Sequence, residues 1–288
     1  MPHIKAKSFN MMLSVSCTSV GVALVLLLVM ICAINEGFRY RAKFAIFGIA
    51  CLVFTVIYLP FMFLNIGSWK NALVPAWLLR QTYRRVLGIK FEVRGKENIV
   101  RDSGCVVLIN HQSMLDLGVL AELWPVLERC VVISKKEILY FGPFGLASWL
   151  WGTIFINRQN IEESRRVINS TSRYIKEAKM KLIFFPEGKR HSGNTLIPFK
   201  KGPFHLGISS QVPIQPVVVS KYFFLNNKSK RFDSGTGYIT ILPPISTEGM
   251  TKDNIQELID KSYEVMNTSF IQTSQEALTK HMESLKND

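Results

Sequence analysis

Two stretches without a single charged residue, Met12 to Ile34 and Phe44 to Ile66, constrain this chain more than any other feature. A helix needs about 20 apolar residues to cross a bilayer, and each stretch is long enough. The first is too long for the apolar core of a cleavable leader, and no small-residue cleavage site follows it. The pair therefore predicts an uncleaved two-helix membrane anchor over residues 1–68, ahead of one sizeable domain over 69–288. Basic residues flank both stretches on every side (Lys5 and Lys7, then Arg39, Arg41 and Lys43, then Lys70, Arg80, Arg84 and Arg85), so charge bias does not orient them. Two full spans put both termini on one side, read here as the cytosol. A hairpin dipping into one leaflet, with Pro60 and Asn65 in its second arm, stays open beside that reading.

The anchor changes what the formal net charge of +14 means. On a membrane-bound chain such a surplus points to anionic lipid and phosphorylated substrates, and nucleic acid is not expected as a partner. The 5 cysteines include no C-x-x-C and make no disulfide framework, and no His, Cys, Asp or Glu spacing suits a metal.

Beyond the anchor, Trp69 to Leu87 reads as helix, with Trp69, Trp77 and Tyr83 suited to a membrane interface. Lys90 to Arg94 alternates as a strand. Cys105–Ile109, Cys130–Ser134, Gly152–Arg158, Leu182–Phe185, Val212–Val219 and Gly237–Leu242 complete the strand set, and helical period returns over Glu162–Met180 and Asp253–Leu285. Strands alternating with helices over this length predict an α/β fold, a mostly parallel central sheet flanked by helices. Phe141 to Trp151, FGPFGLASWLW, fits core, a monolayer-docking surface or an acyl-chain wall equally well.

Two strands end in polar loops that carry chemistry. Cys105–Ile109 runs into Asn110-His111-Gln112, at the carboxyl end where open α/β sheets hold their ligands. Asp116 follows in the first turn of the next helix, within reach to fix an imidazole tautomer and balance its charge. Ser113-x-x-Asp116 also fits a capping box around an ordinary loop histidine, and the block alone leaves both readings open. In Phe184 to His191, proline stops the strand and glycine permits close backbone approach. Lys189 and Arg190, thickened by Lys200 and Lys201, suit a phosphate. A solvated turn with Glu187 paired to Arg190 is the plain alternative. His191 and His205 are rival bases: His191 is expected to line the cationic loop, and His205, inside Pro203–Gly207, to be packed.

Five blocks in order between Asn110 and Val219 resemble the glycerolipid acyltransferase family: Asn110 to Asp116, Lys136 to Gly145, Gly152 to Arg158, Phe185 to Arg190, and Val212 to Val218. The resemblance implies an enzyme that moves an acyl group from acyl-CoA, a co-substrate with no further cofactor, to the free hydroxyl of a lysophospholipid. The blocks are most similar to members whose acceptor is lysophosphatidic acid, acylated at its sn-2 hydroxyl to phosphatidic acid. It also implies an integral membrane protein of the endoplasmic reticulum with the catalytic domain facing the cytosol, so that the sequons at Asn169, Asn227 and Asn267 go unused. On this reading His111 is the general base and Asp116 orients it. Arg158, Glu187, Gly188, Lys189 and Arg190 bind the glycerophosphate, and Lys136 adds to them. No G-x-S-x-G elbow and no cysteine beside a candidate base is present, so transfer is expected without an acyl-enzyme. Lys189 departs from the family's threonine or serine, and Asn157 from a common aspartate. Glycerol 3-phosphate or another lysophospholipid is the alternative acceptor. A membrane-bound hydrolase and a non-catalytic anionic-lipid-binding protein are the alternatives of other classes.

Overall fold

The computed structural model of the chain describes residues 19–23, 27, 30–31, 33–157 and 160–287. In chain order its elements are helices α1 (Glu36–Met62) and α2 (Leu73–Arg85), strands β1 (Ile89–Arg94) and β2 (Cys105–Ile109), α3 (Asp116–Leu127), β3 (Cys130–Lys135), α4 (Gly142–Leu150), β4 (Ile154–Ile156), α5 (Ile161–Glu177), β5 (Lys181–Phe184), α6 (Gly202–Ser210), β6 (Ile214–Val219), β7 (Leu225–Asn226), β8 (Arg231–Phe232), β9 (Gly235–Ile241) and α7 (Ile255–Asn287). They fall into two units, the chain up to Ile46 with Leu225–Phe232, and Phe47–Phe224 with Asp233–Asp288.

The first predicted membrane stretch lies largely outside the described residues. The second is α1, which begins earlier than the apolar run and takes in the basic connection ahead of it. Asn35 Oδ1 accepts the Phe38 N–H at 2.9 Å and so closes the start of the helix. With the short 3₁₀ turn after it, Glu36–Asn65 is long and apolar enough to cross a membrane, and Ile49, Ile57, Phe61 and Leu64 face outward. In the smaller unit, Phe44 packs on Phe232 and the Tyr40 hydroxyl donates to Asn227 Oδ1 at 3.0 Å. In the larger, Met62 packs with Ala147 and Leu150 of α4. The Asn71 amide nitrogen pins that junction, its two N–H groups shared among the carbonyls of Met62 (3.1 Å), Asn65 (2.8 Å) and Leu150 (2.9 Å).

The sheet runs β1-β9-β6-β2-β5-β3-β4. From β6 to β4 every neighbour is parallel, and the one antiparallel pairing, β6 with β9, joins them to the parallel pair β1 and β9. β2, β5 and β6 are buried at every residue, as strands covered by helices on both faces must be. Pro216 sits inside β6 without breaking it, because the pairing to β9 begins only at Val217. One helix after another buries its apolar stripe on this sheet; α7 does so with Ile255, Leu258, Ile259, Met266 and Phe270. α2 is clasped to α3 through buried Glu122, which accepts from the Tyr83 hydroxyl and the Arg84 guanidinium, both at 2.5 Å.

The FGPFGLASWLW segment divides along helical spacing. Ala147 and Leu150 are core, Phe144, Ser148 and Trp151 line an apolar cavity, and Phe141, Leu146 and Trp149 face outward. The helix α6 and the hairpin of β7 and β8 were not anticipated by the periodicity.

Candidate active site

The connection after β2 leads on to β3, while the one after β5 crosses back to β6 on the other side of β2. Neighbouring strands whose exits part in this way open a crevice at their carboxyl ends. Both sequence loops, the one with His111 and the one with Glu187, lie there.

Beyond Ile109 the chain stops pairing as a strand, and two side-chain amides take over. Asn110 donates to the Val219 carbonyl (3.0 Å) and accepts the Val219 N–H (2.7 Å), while Gln112 donates to the carbonyls of Val219 (3.1 Å) and Ser220 (3.0 Å). His111 is held between these clamps. Its backbone is gripped from the other side as well: its N–H donates to Glu187 Oε1 (2.8 Å), and its carbonyl accepts the His191 N–H (2.8 Å). Its ring stacks on Phe185, with centroids 4.2 Å apart.

His111 Nδ1 lies 2.6 Å from Asp116 Oδ2. The same oxygen accepts the N–H groups of Gln112 (2.7 Å) and Ser113 (3.1 Å), and Oδ1 accepts the Tyr222 hydroxyl (2.7 Å). One carboxylate thus closes the loop amides and partners the histidine. It is not a capping box with Ser113 as cap, because α3 begins at Asp116 after Leu115 with no side-chain cap bond. The Asp116 side chain is 3% exposed and that of His111 21%, so the imidazole is the member that meets solvent. Two amides already aim at Oδ2, which fixes it as an acceptor. In the neutral imidazole this geometry selects the tautomer with the proton on Nδ1 and the lone pair on Nε2.

Glu187 is 2% exposed, and its other oxygen accepts the Ile197 N–H at 3.3 Å. Burial pushes its carboxyl above the usual range, against the pull of those two amides. Both oxygens are thereby committed to the protein's own backbone, and the Glu187–Arg190 pair of a simple turn is absent among the described residues' ion pairs. Gly188 turns through φ +71°, a left-handed conformation that favours glycine. Lys189 and Arg190 follow it, exposed, and Lys136 is exposed on the 3₁₀ turn after β3. Neighbouring parallel strands lie about 4.8 Å apart, so the loop after β3 emerges about 10 Å along the same edge from His111. Arg158 lies outside the described residues.

His205 is a correction. It is exposed rather than packed, because α6 buries Pro203, Phe204, Leu206, Gly207 and Ile208 and leaves 205 and 209 as its outer stripe. Tyr222 was missed: its bond spans 106 residues, and no local spacing announces it. Among the described residues no three of His, Cys, Asp and Glu converge as metal ligands.

The family model described as Acyltransferase matches residues 90–220, the stretch that carries both loops and the His111–Asp116 pair. Over 255 residues the chain is 35% identical to the human 1-acyl-sn-glycerol-3-phosphate acyltransferase beta, covering 88% of this chain and 91% of that one. It is 30% identical over 228 residues to the 1-acyl-sn-glycerol-3-phosphate acyltransferase of Haemophilus influenzae, 79% of this chain and 93% of that one. The crystal structure of the 1-acyl-sn-glycerophosphate (LPA) acyltransferase PlsC from Thermotoga maritima shares the fold, with a TM-score of 0.61 at 20% identity over 82% of this chain and 94% of that one. This chain belongs to the 1-acyl-sn-glycerol-3-phosphate acyltransferase family.

Proposed function

We propose that the protein transfers an acyl group from acyl-CoA to the sn-2 hydroxyl of 1-acylglycerol 3-phosphate, giving phosphatidic acid. The observation that carries the mechanism is the 2.6 Å bond from His111 Nδ1 to a carboxylate that two backbone amides already hold in place. With Nδ1 protonated, Nε2 removes the proton of the acceptor hydroxyl as its oxygen attacks the thioester carbonyl. Asp116 balances the imidazolium that forms. The tetrahedral intermediate then expels the CoA thiolate, which takes the proton from Nε2, leaving an ester and free CoA with no acyl-enzyme. Such base catalysis contributes about 10²–10⁴-fold, so positioning and stabilisation of the oxyanion carry the remainder.

The acceptor is inferred from the names of the relatives, and its phosphate fits the exposed Lys189 and Arg190 beside the Gly188 turn, with Lys136 further along the same edge and Arg158 added on the strength of its sequence block alone. Glu187 holds the loop that presents them. An apolar cavity of about 130 Å³ suits part of an acyl chain. Leu117, Leu120 and Ala121 line it from the α3 turns that follow Asp116, together with Leu79, Phe144 and Trp151. Glu36–Asn65 supplies the membrane anchor, in the endoplasmic reticulum with the domain on the cytosolic side.

The test is a panel of acceptors (lysophosphatidic acid, glycerol 3-phosphate and lysophospholipids with larger headgroups) offered with labelled acyl-CoA to the purified protein in detergent. Labelled phosphatidic acid as the dominant product is expected. Preference for another acceptor, free fatty acid released without any acceptor, or lipid binding without turnover would each refute the assignment.

A further inference from the structure

Tyr222 plays no part in the chemistry above, yet its hydroxyl binds the Asp116 oxygen that His111 does not, at 2.7 Å. The residue is 4% exposed and comes from the loop after β6. That loop is fixed on both sides, by Ser274 Oγ accepting the Lys221 N–H (2.9 Å) and by Ser220 Oγ accepting the Tyr238 N–H (2.9 Å). The ring is walled by Phe91 and Phe224, with centroids 5.8 and 5.4 Å away. A carboxylate held only at Oδ2 can still swing about its last torsion, because sp³–sp² torsions are broad. A donor on Oδ1 fixes the plane of the group, and with it the aim of Oδ2 at the imidazole. It also draws charge away from the oxygen that holds the ring proton.

We propose that Tyr222 is a positioning residue for the His111–Asp116 pair, its hydroxyl fixing the carboxylate and setting how strongly Asp116 attracts the imidazole proton. This rests on the reading of His111 as the base. Burial keeps the phenol protonated well above its ordinary range, so it remains a donor throughout the working pH range. The groups facing Asp116 are few. His111 and the amides of Gln112 and Ser113 come from the loop after β2, and Tyr222 comes from the loop after β6. Tyr83 on α2 stands behind Phe91 with its hydroxyl on Glu122, and Glu187 acts through the His111 backbone.

The test is Tyr222→Phe in the full-length protein, with Phe91→Leu as a packing control and His111→Ala and Asp116→Asn for the underlying reading. Loss of one hydrogen bond to a charged group predicts a fall in kcat of about tenfold, with KM for both substrates within about twofold. The acid limb of kcat/KM should move to higher pH in Tyr222→Phe, because the undonated carboxylate holds the shared proton more tightly. Phe91→Leu, which keeps the hydroxyl, should leave the limb in place. Unchanged kcat and limb in a folded Tyr222→Phe protein would overturn the proposal, as would a limb shift of equal size in Phe91→Leu. A Tyr222→Phe chain that cannot fold would overturn it too, since the hydroxyl would then serve the fold and not the pair. If His111→Ala and Asp116→Asn stay active, the underlying reading has failed. If they are inactive and Tyr222→Phe is normal, only the proposal has.

Discussion

Replacing Glu187 by alanine separates a brace from a substrate contact. The change leaves the N–H groups of His111 and Ile197 without their acceptor. A donor left unpaired costs about 1–3 kcal/mol when buried, and here there are two, both half-buried. Against this, the variant no longer buries a carboxyl whose range burial has already pushed up, so the net loss is about 2–4 kcal/mol. In a domain of this size each kcal/mol moves Tm by about 2–4 °C, which predicts a fall of roughly 5–15 °C. The folded carboxyl binds its proton more tightly than the unfolded chain does, so this group stabilises the fold more as pH falls through its folded value towards 4.5. The gap in Tm between the native protein and Glu187→Ala should therefore widen as pH falls over that window. Because His111 loses one of its two backbone holds, kcat should drop while the acceptor KM stays near its native value. Thermal unfolding in detergent and initial rates at varied acceptor concentration measure both. An unchanged Tm with a raised acceptor KM would refute the reasoning and make Glu187 a group that touches the substrate.

Glu122→Ala leaves Arg84 and the Tyr83 hydroxyl without their buried acceptor and should cost about 3–5 kcal/mol in denaturant unfolding, with little change in turnover per folded molecule. Arg190→Ala removes an exposed cation, so Tm should hold while the acceptor KM rises about tenfold, read from saturation curves. Ala121→Phe fills the apolar cavity and should shift preference towards shorter acyl-CoA in a competition assay. Unaltered chain preference would place the acyl chain elsewhere.

Much of the fold was legible because buried parallel strands announce themselves as short continuous apolar runs. Cys105–Ile109 was read to the residue, and Cys130, Leu182 and Val212 each lie within two residues of where their strands begin. The hairpin of β7 and β8 left no such trace, since its strands are two residues each and only half apolar. His111 and Asp116 were legible because a strand end and a helix start fix their separation. Glu187 was found in the right loop, but its carboxylate turns to the backbone, a direction that residue type cannot reveal. Tyr222 was out of reach for another reason: its bond to Asp116 exists only because β6 packs beside β2, which is a property of strand order. His205 was misread because burial on α6 follows the helical stripe and not the apolar character of the neighbours in sequence.

The most direct measurement of the whole account is the turnover of His111→Ala, assayed with saturating acyl-CoA and lysophosphatidic acid in protein whose unfolding transition matches the native one. The account predicts that kcat falls by about 10²–10⁴-fold with acceptor binding retained. A His111→Ala protein that turns over at near-native rate would contradict it.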